Sequence, residues 1–236
     1  HGHLPLVLHH VRWPHGEEWL HEALAETYLP LLVALYDLRE EKVPFRLTIG
    51  ITPVLTEQLA DALVLEHFRE YAADRVRRAA ADVERFRLAG EAQQTALAAF
   101  YRDWYQANLD AFEHRFAGDV VGAFRQLQDE GYLEIVTCGA THGYLPLLAR
   151  DSSVHAQLAV AVQSYERHFG RRPKAIWLPE CAYRPAYWVR PGYRKPGIEE
   201  FVAEEGIGLF FAETHAIEGG TPVGKATDGV VGPYGN

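Results

Sequence analysis

The chain has no methionine and only two cysteines, Cys138 and Cys181, in 236 residues. Two thiols cannot make the dense disulfide framework of a small secreted domain, and they fit a reducing compartment better. No apolar run approaches the ~20 residues that span a bilayer, and no secretory leader pattern is visible. The expectation is a soluble, cytoplasmic protein that does not engage a membrane. Basic residues are also in deficit. Lys and Arg number 23 against 32 acids, a net charge of -9, and they are dispersed rather than clustered. That argues against a nucleic-acid partner and suits an uncharged or cationic substrate. Internal repeats and low-complexity segments are absent. The missing methionine, the opening on His1-Gly2-His3-Leu4-Pro5 and the close on a turn at Gly232–Asn236 lead us to expect part of a longer polypeptide.

What the chain does contain reads as α/β. At this length one large core can form, and α/β barrels of this size are commonly single domains. Residues 4–10 pass from apolar to polar, as a strand does on entering a loop. From Glu17 to Arg39 apolar residues recur at helical spacing (Leu20, Leu24, Leu31, Leu35), with an interruption expected near Pro30. Phe45–Ile51 reads as a strand, and Thr52-Pro53 as the start of the next helix. Glu57 to about Asp129 offers no credible strand, only an Ala-, Arg- and Glu-rich stretch studded with aromatics. Some seventy residues of helix exceed an ordinary crossover connection, so part of this stretch is expected to be a helical insertion. Strands are then expected at Leu133–Thr137, at Ala175–Leu178 and at Ile207–Phe211. Helices are expected at His155–Phe169, with Gly170 as C-cap, and at Gly197–Gly206. The alternation favours a parallel sheet, most simply a partial or complete barrel.

Three polar clusters follow three expected strands or their neighbourhood. They are His1 and His3, then Thr141-His142 after LEIVT, then Glu180 after AIWL. In a parallel barrel such ends converge on one face, where chemistry sits. Two readings of Glu180 compete: a strand-end catalytic carboxylate beside Trp177 and Tyr183, or a surface carboxylate paired with Arg184. Two readings of His1-x-His3 also stand. Alternate residues on a strand project to one side, as metal ligands would. Imidazoles equally grip sugar hydroxyls and orient a carboxylate. Cys138 and Cys181 look isolated and the acids are scattered, so the expectation is no metal and no cofactor. Trp13, Tyr183, Tyr187 and Trp188 fall in expected loops, where rings can stack on sugar faces.

The order HGHLP, WPHGEEWLHEALAETYLPLL, ATHGY and WLPECAYRP resembles glycoside hydrolase family 57, and within it the 1,4-α-glucan branching enzymes. The likeness runs through essentially the whole chain. It implies a (β/α)7-type distorted barrel with a helical insertion, followed by a helical C-terminal part absent from this chain. The implied organisation is a catalytic barrel over 1–65 and 130–236, incomplete at both ends, with the insertion at 66–129. It implies retaining transfer from α-1,4-glucan (amylose, glycogen), as donor and acceptor, creating α-1,6 branches. Glu180 would be the nucleophile. His1, His3 and His142 would line the donor-sugar subsite; Trp13 and Tyr183, by their place beside the polar clusters, are the rings expected to stack on substrate. The family's acid/base Asp belongs to a later motif that does not occur here. Asp228 has the residue type without the context, so the expectation places that Asp outside this chain. The alternatives are an α-amylase or 4-α-glucanotransferase of the same family, a metal-dependent barrel hydrolase, and a non-catalytic glucan-binding protein.

Overall fold

The computed structural model describes 1–8 and 16–213 of the chain. Within it the polypeptide divides into two compact units, His1–Pro5 with Thr48–Thr56 and Glu134 onward, and Leu6–Leu47 with Glu57–Leu133.

The first unit is α/β. Its frame is a row of short strands: β1 (Leu47–Gly50), β2 (Leu133–Val136), β3 (Ala175–Trp177) and β6 (Leu209–Phe211). Gly2 bridges Ile51 in parallel at one end of the row, and Thr137 bridges Ile176 in parallel to join β2 to β3. β3 pairs β6 in parallel, with Ile176 opposite Phe210. Between β1 and β2 the donors Leu47 and Ile51 meet the carbonyls of Tyr132 and Val136, so donor and acceptor advance together and these strands too run parallel. Parallel strands need long crossovers. Here these include α7 (Asp151–Phe169) before β3 and α8 (Ile198–Glu204) before β6. Gly170 ends α7 in the left-handed conformation, φ 71°, which a glycine adopts at little steric cost. The apolar faces of both helices (Val154, Leu158, Val162, Phe201, Val202) close over Ile176 and Leu178 to make the core. Full burial of such a side chain is worth roughly 1.5–3 kcal/mol, which is why three-residue strands hold. A further hairpin, β4 (Tyr187–Arg190) with β5 (Tyr193–Lys195), is antiparallel.

The second unit is helical. α1 (Glu17–Ala23) and α2 (Leu29–Glu40) are joined by a π-turn at Leu24–Tyr28, α4 (Ala62–Leu88) precedes α5 (Ala92–Asp110), and α6 (Val120–Asp129) follows a second π-turn at Ala111–Arg115. Asp61 caps α4 by accepting from the backbone N–H groups of Leu63 and Val64, both at 3.0 Å. Phe68 and Phe112 meet edge to face at 5.0 Å and are fully buried, together with Leu20, Leu24 and Phe124. The tyrosine at 36 donates from its hydroxyl to the Ala123 carbonyl at 3.0 Å. α3 (Pro53–Leu59) starts where the Thr52-Pro53 pair places it.

Several expectations change. Residues 4–8 form no strand; the first segment contributes only the Gly2 bridge. The helix break near Pro30 is a π-turn placed before it, and Pro30 sits in the first turn of α2. Tyr187 and Trp188 lie in β4 rather than in a loop, because the Pro191-Gly192 turn folds a hairpin there, with Gly192 at φ 79°. Among the described residues no pairing closes the strand row on itself, so the observed class is α/β and helix-rich. No helix among them is long and apolar enough to cross a membrane.

Candidate active site

Glu180 leaves β3 through Leu178 and Pro179, and its backbone is left-handed (φ 57°, ψ 25°); Cys181 follows at φ 53°. L-residues pay for that conformation, on the order of 1–2 kcal/mol each. The turn is held by the Cys181 N–H on the Leu178 carbonyl at 2.7 Å and by the Ala182 N–H on the Pro179 carbonyl at 3.1 Å. Its effect is to turn the Glu180 carboxylate outward, with the side chain 70% exposed. Strain of this kind concentrates where geometry serves function. Arg184 does not pair with Glu180: its guanidinium lies over the Tyr187 ring at 5.2 Å and donates to the Pro185 carbonyl.

The histidines expected at the site come together. His142, also left-handed at φ 58°, presents Nδ1 to the Glu180 carboxylate at 3.8 Å. On its other nitrogen, Nε2 stands 3.2 Å from His1 Nε2. The His3 ring stacks on His142 with centroids 3.8 Å apart and planes within 12°, and His3 Nδ1 lies 3.3 Å from the Thr52 hydroxyl. Burial holds the His3 imidazole below its usual pKa, helped by His142 and opposed by Glu180. A largely neutral imidazole can both donate to and accept from hydroxyls. Trp177 forms an apolar wall, stacked on His1 at 5.3 Å and tilted against Phe211 at 5.3 Å.

Small and polar residues hold these groups in place. Gly50 permits the approach of His1, because a Cβ there would stand 2.8 Å from His1 Nδ1. Gln157, on α7, clamps the turn that carries His142. Its Oε1 accepts from the Thr141 N–H at 2.9 Å, and its Nε2 donates to the Thr141 hydroxyl at 2.8 Å. Neither role was legible in the sequence, since a glycine in a strand and a glutamine in a helix carry no local signal of them.

Cys138 corrects an expectation. It is fully buried rather than isolated, and its Sγ lies with the ring nitrogens of His1 and His142, all within 4.8 Å of one another. Burial, with the Glu180 carboxylate adding to it, pushes its thiol up to about 12. Tyr183 is half-buried. Its ring stacks on Phe210 at 5.5 Å and packs against the apolar core. Burial and the Glu199 carboxylate raise its hydroxyl to about 12. Trp13 and Asp228 lie outside the described residues.

This arrangement joins an exposed carboxylate to a stack of imidazoles and an indole wall at parallel strand ends, which suits a polar ring with apolar faces. The chain is 45% identical, over 93% of its length, to a 1,4-alpha-glucan branching enzyme of Thermococcus kodakarensis, of which it spans 32%. It is 45% identical to the crystal structure of a branching enzyme from Pyrococcus horikoshii, with a TM-score of 0.86 over 92% of this chain and 41% of that one. An alpha-amylase from Thermotoga maritima is 35% identical, with a TM-score of 0.79 over 92% of this chain and 39% of that one. The chain thus spans about a third to two fifths of the length of these proteins. The glycosyl hydrolase family 57 model matches residues 1–228, and the chain belongs to that family.

Proposed function

We propose that this chain carries the nucleophile half of a 1,4-α-glucan branching enzyme, a retaining glycosyltransferase that cuts an α-1,4 linkage and passes the cut segment to a 6-hydroxyl. The observation that carries the reading is Glu180, strained outward at the end of β3 and facing His142 within the imidazole stack. The two branching-enzyme relatives at 45% identity support it.

On this reading Glu180 attacks the anomeric carbon, the glycosidic C–O bond breaks, and a glycosyl ester forms. His1, His3 and His142 hold sugar hydroxyls in the donor subsite, and Trp177 meets an apolar sugar face. Retaining chemistry needs a second carboxyl about 5–5.5 Å away, which protonates the leaving oxygen and then takes the proton of the acceptor hydroxyl. We assign that role to an Asp outside these 236 residues. Donor and acceptor are α-1,4-glucans such as amylose or glycogen, and glycogen synthesis in the cytoplasm is the setting that suits them. The strand row would belong to a (β/α)7-type distorted barrel over 1–65 and 130–236, with 66–129 inserted.

The amylase of T. maritima favours a second reading, hydrolysis by the same nucleophile. Amylose incubated with the full-length protein separates the two. New α-1,6 linkages, read as the linear chains that a debranching enzyme releases, support branching, whereas shortened linear chains with rising reducing ends before debranching support the amylase.

A further inference from the structure

The Glu180 neighbourhood carries more than sugar-binding groups, because a thiol stands where two imidazoles converge. Two nitrogens bound to zinc at roughly 2.0–2.1 Å and the tetrahedral angle stand about 3.3 Å apart. His1 Nε2 and His142 Nε2 are 3.2 Å apart. The Cys138 sulfur completes a set in which every ligand atom lies within 4.8 Å of the others. The remaining nitrogen of His142, Nδ1, lies on the side of the Glu180 carboxylate at 3.8 Å, an ion-pair distance longer than a hydrogen bond. Three protein ligands leave a fourth position for water, as in open zinc sites.

We propose that His1, Cys138 and His142 bind a soft divalent cation, zinc in the first instance, and that its binding closes the site to glucan. On coordination the Cys138 S–H proton passes to solvent and a metal–sulfur bond forms, with no change of oxidation state. The same two imidazoles then no longer meet sugar hydroxyls, so metal and glucan exclude each other. A thiolate with two imidazoles selects zinc, cadmium or cobalt over magnesium and calcium, which take oxygen ligands. The inhibitory half rests on the branching reading; the binding half does not.

Cobalt titrated into the chelator-treated full-length protein tests the binding half. The expected result is a sulfur-to-cobalt charge-transfer absorption at one equivalent, displaced by zinc and lost in Cys138→Ala and in His142→Ala. Circular dichroism checks that both variants fold, and Cys138→Ser serves if Cys138→Ala does not. A missing absorption in the wild type, or one that survives both substitutions, overturns the site. For the inhibitory half, the ratio of glucan transfer in chelator to that in excess zinc is measured for each protein. It should be at least ten-fold for wild type and close to one for the Cys138 variant, with magnesium and calcium inert. Zinc that binds with the spectral signature but leaves transfer unchanged overturns the inhibitory half alone.

Discussion

The α/β unit and the helical unit solve opposite problems with the same residue types. In the helical unit, charge is neutralised locally along one helix: Arg77 and Arg78 both reach Asp74, and Arg85 reaches Asp82. Its aromatic rings Phe68 and Phe112 go into the core. In the α/β unit, Glu180 is held outward on a strained turn, and imidazoles gather from segments 141 residues apart in sequence. The helical unit also holds left-handed L-residues, Lys42 and Ala117, but neither belongs to the candidate site. The α/β unit accepts local cost to assemble a site, which is how strained functional geometry generally arises.

The comparison can be broken most sharply at Glu180. Glu180→Gln in the full-length protein should lower glucan transfer by at least about 10³-fold, as loss of a catalytic nucleophile does, with Tm unmoved. Transfer above about a tenth of wild type, under ~1.4 kcal/mol of barrier, removes Glu180 from the role. Phe68→Ala addresses the other unit. It deletes a fully buried ring and should cost about 3–5 kcal/mol of stability, read by denaturant unfolding. If instead the loss appears in turnover while unfolding is unchanged, the division of labour between the units is wrong.

Gln157→Ala sharpens the account of the site, because it frees the turn bearing His142 without opening the core. Transfer should fall on the order of 10- to 100-fold, as for small misplacements of positioned groups. Gln157→Glu, which keeps the acceptor to the Thr141 N–H, should recover part of it at unchanged Tm. The smallest effect belongs to the helix surface. Arg78→Ala removes an exposed pair with Asp74 at 2.6 Å and should change stability by no more than about 0.5 kcal/mol.

The sequence by itself determined the elements whose physics is local. The apolar spacing of Leu20 and Leu35, the Gly170 cap and the apolar runs at LEIVT and AIWL all act within a few residues, and each became the expected helix, cap or strand. His142 and Glu180 were legible because they follow LEIVT and AIWL and parallel strands deliver their ends to one side, whereas His1 and His3 flank the Gly2 bridge and end no strand. Only the tertiary structure decided what depends on distant partners. It turned Tyr183 onto Phe210, since a ring with an apolar neighbour in reach is stabilised more by packing than by exposure. Through the Pro191-Gly192 turn, it paired Tyr187 and Trp188 into a hairpin. It also set Cys138 and His142, from the turn after β2, beside His1 of the first segment, a juxtaposition that spacing along the chain does not encode because two distant segments supply it.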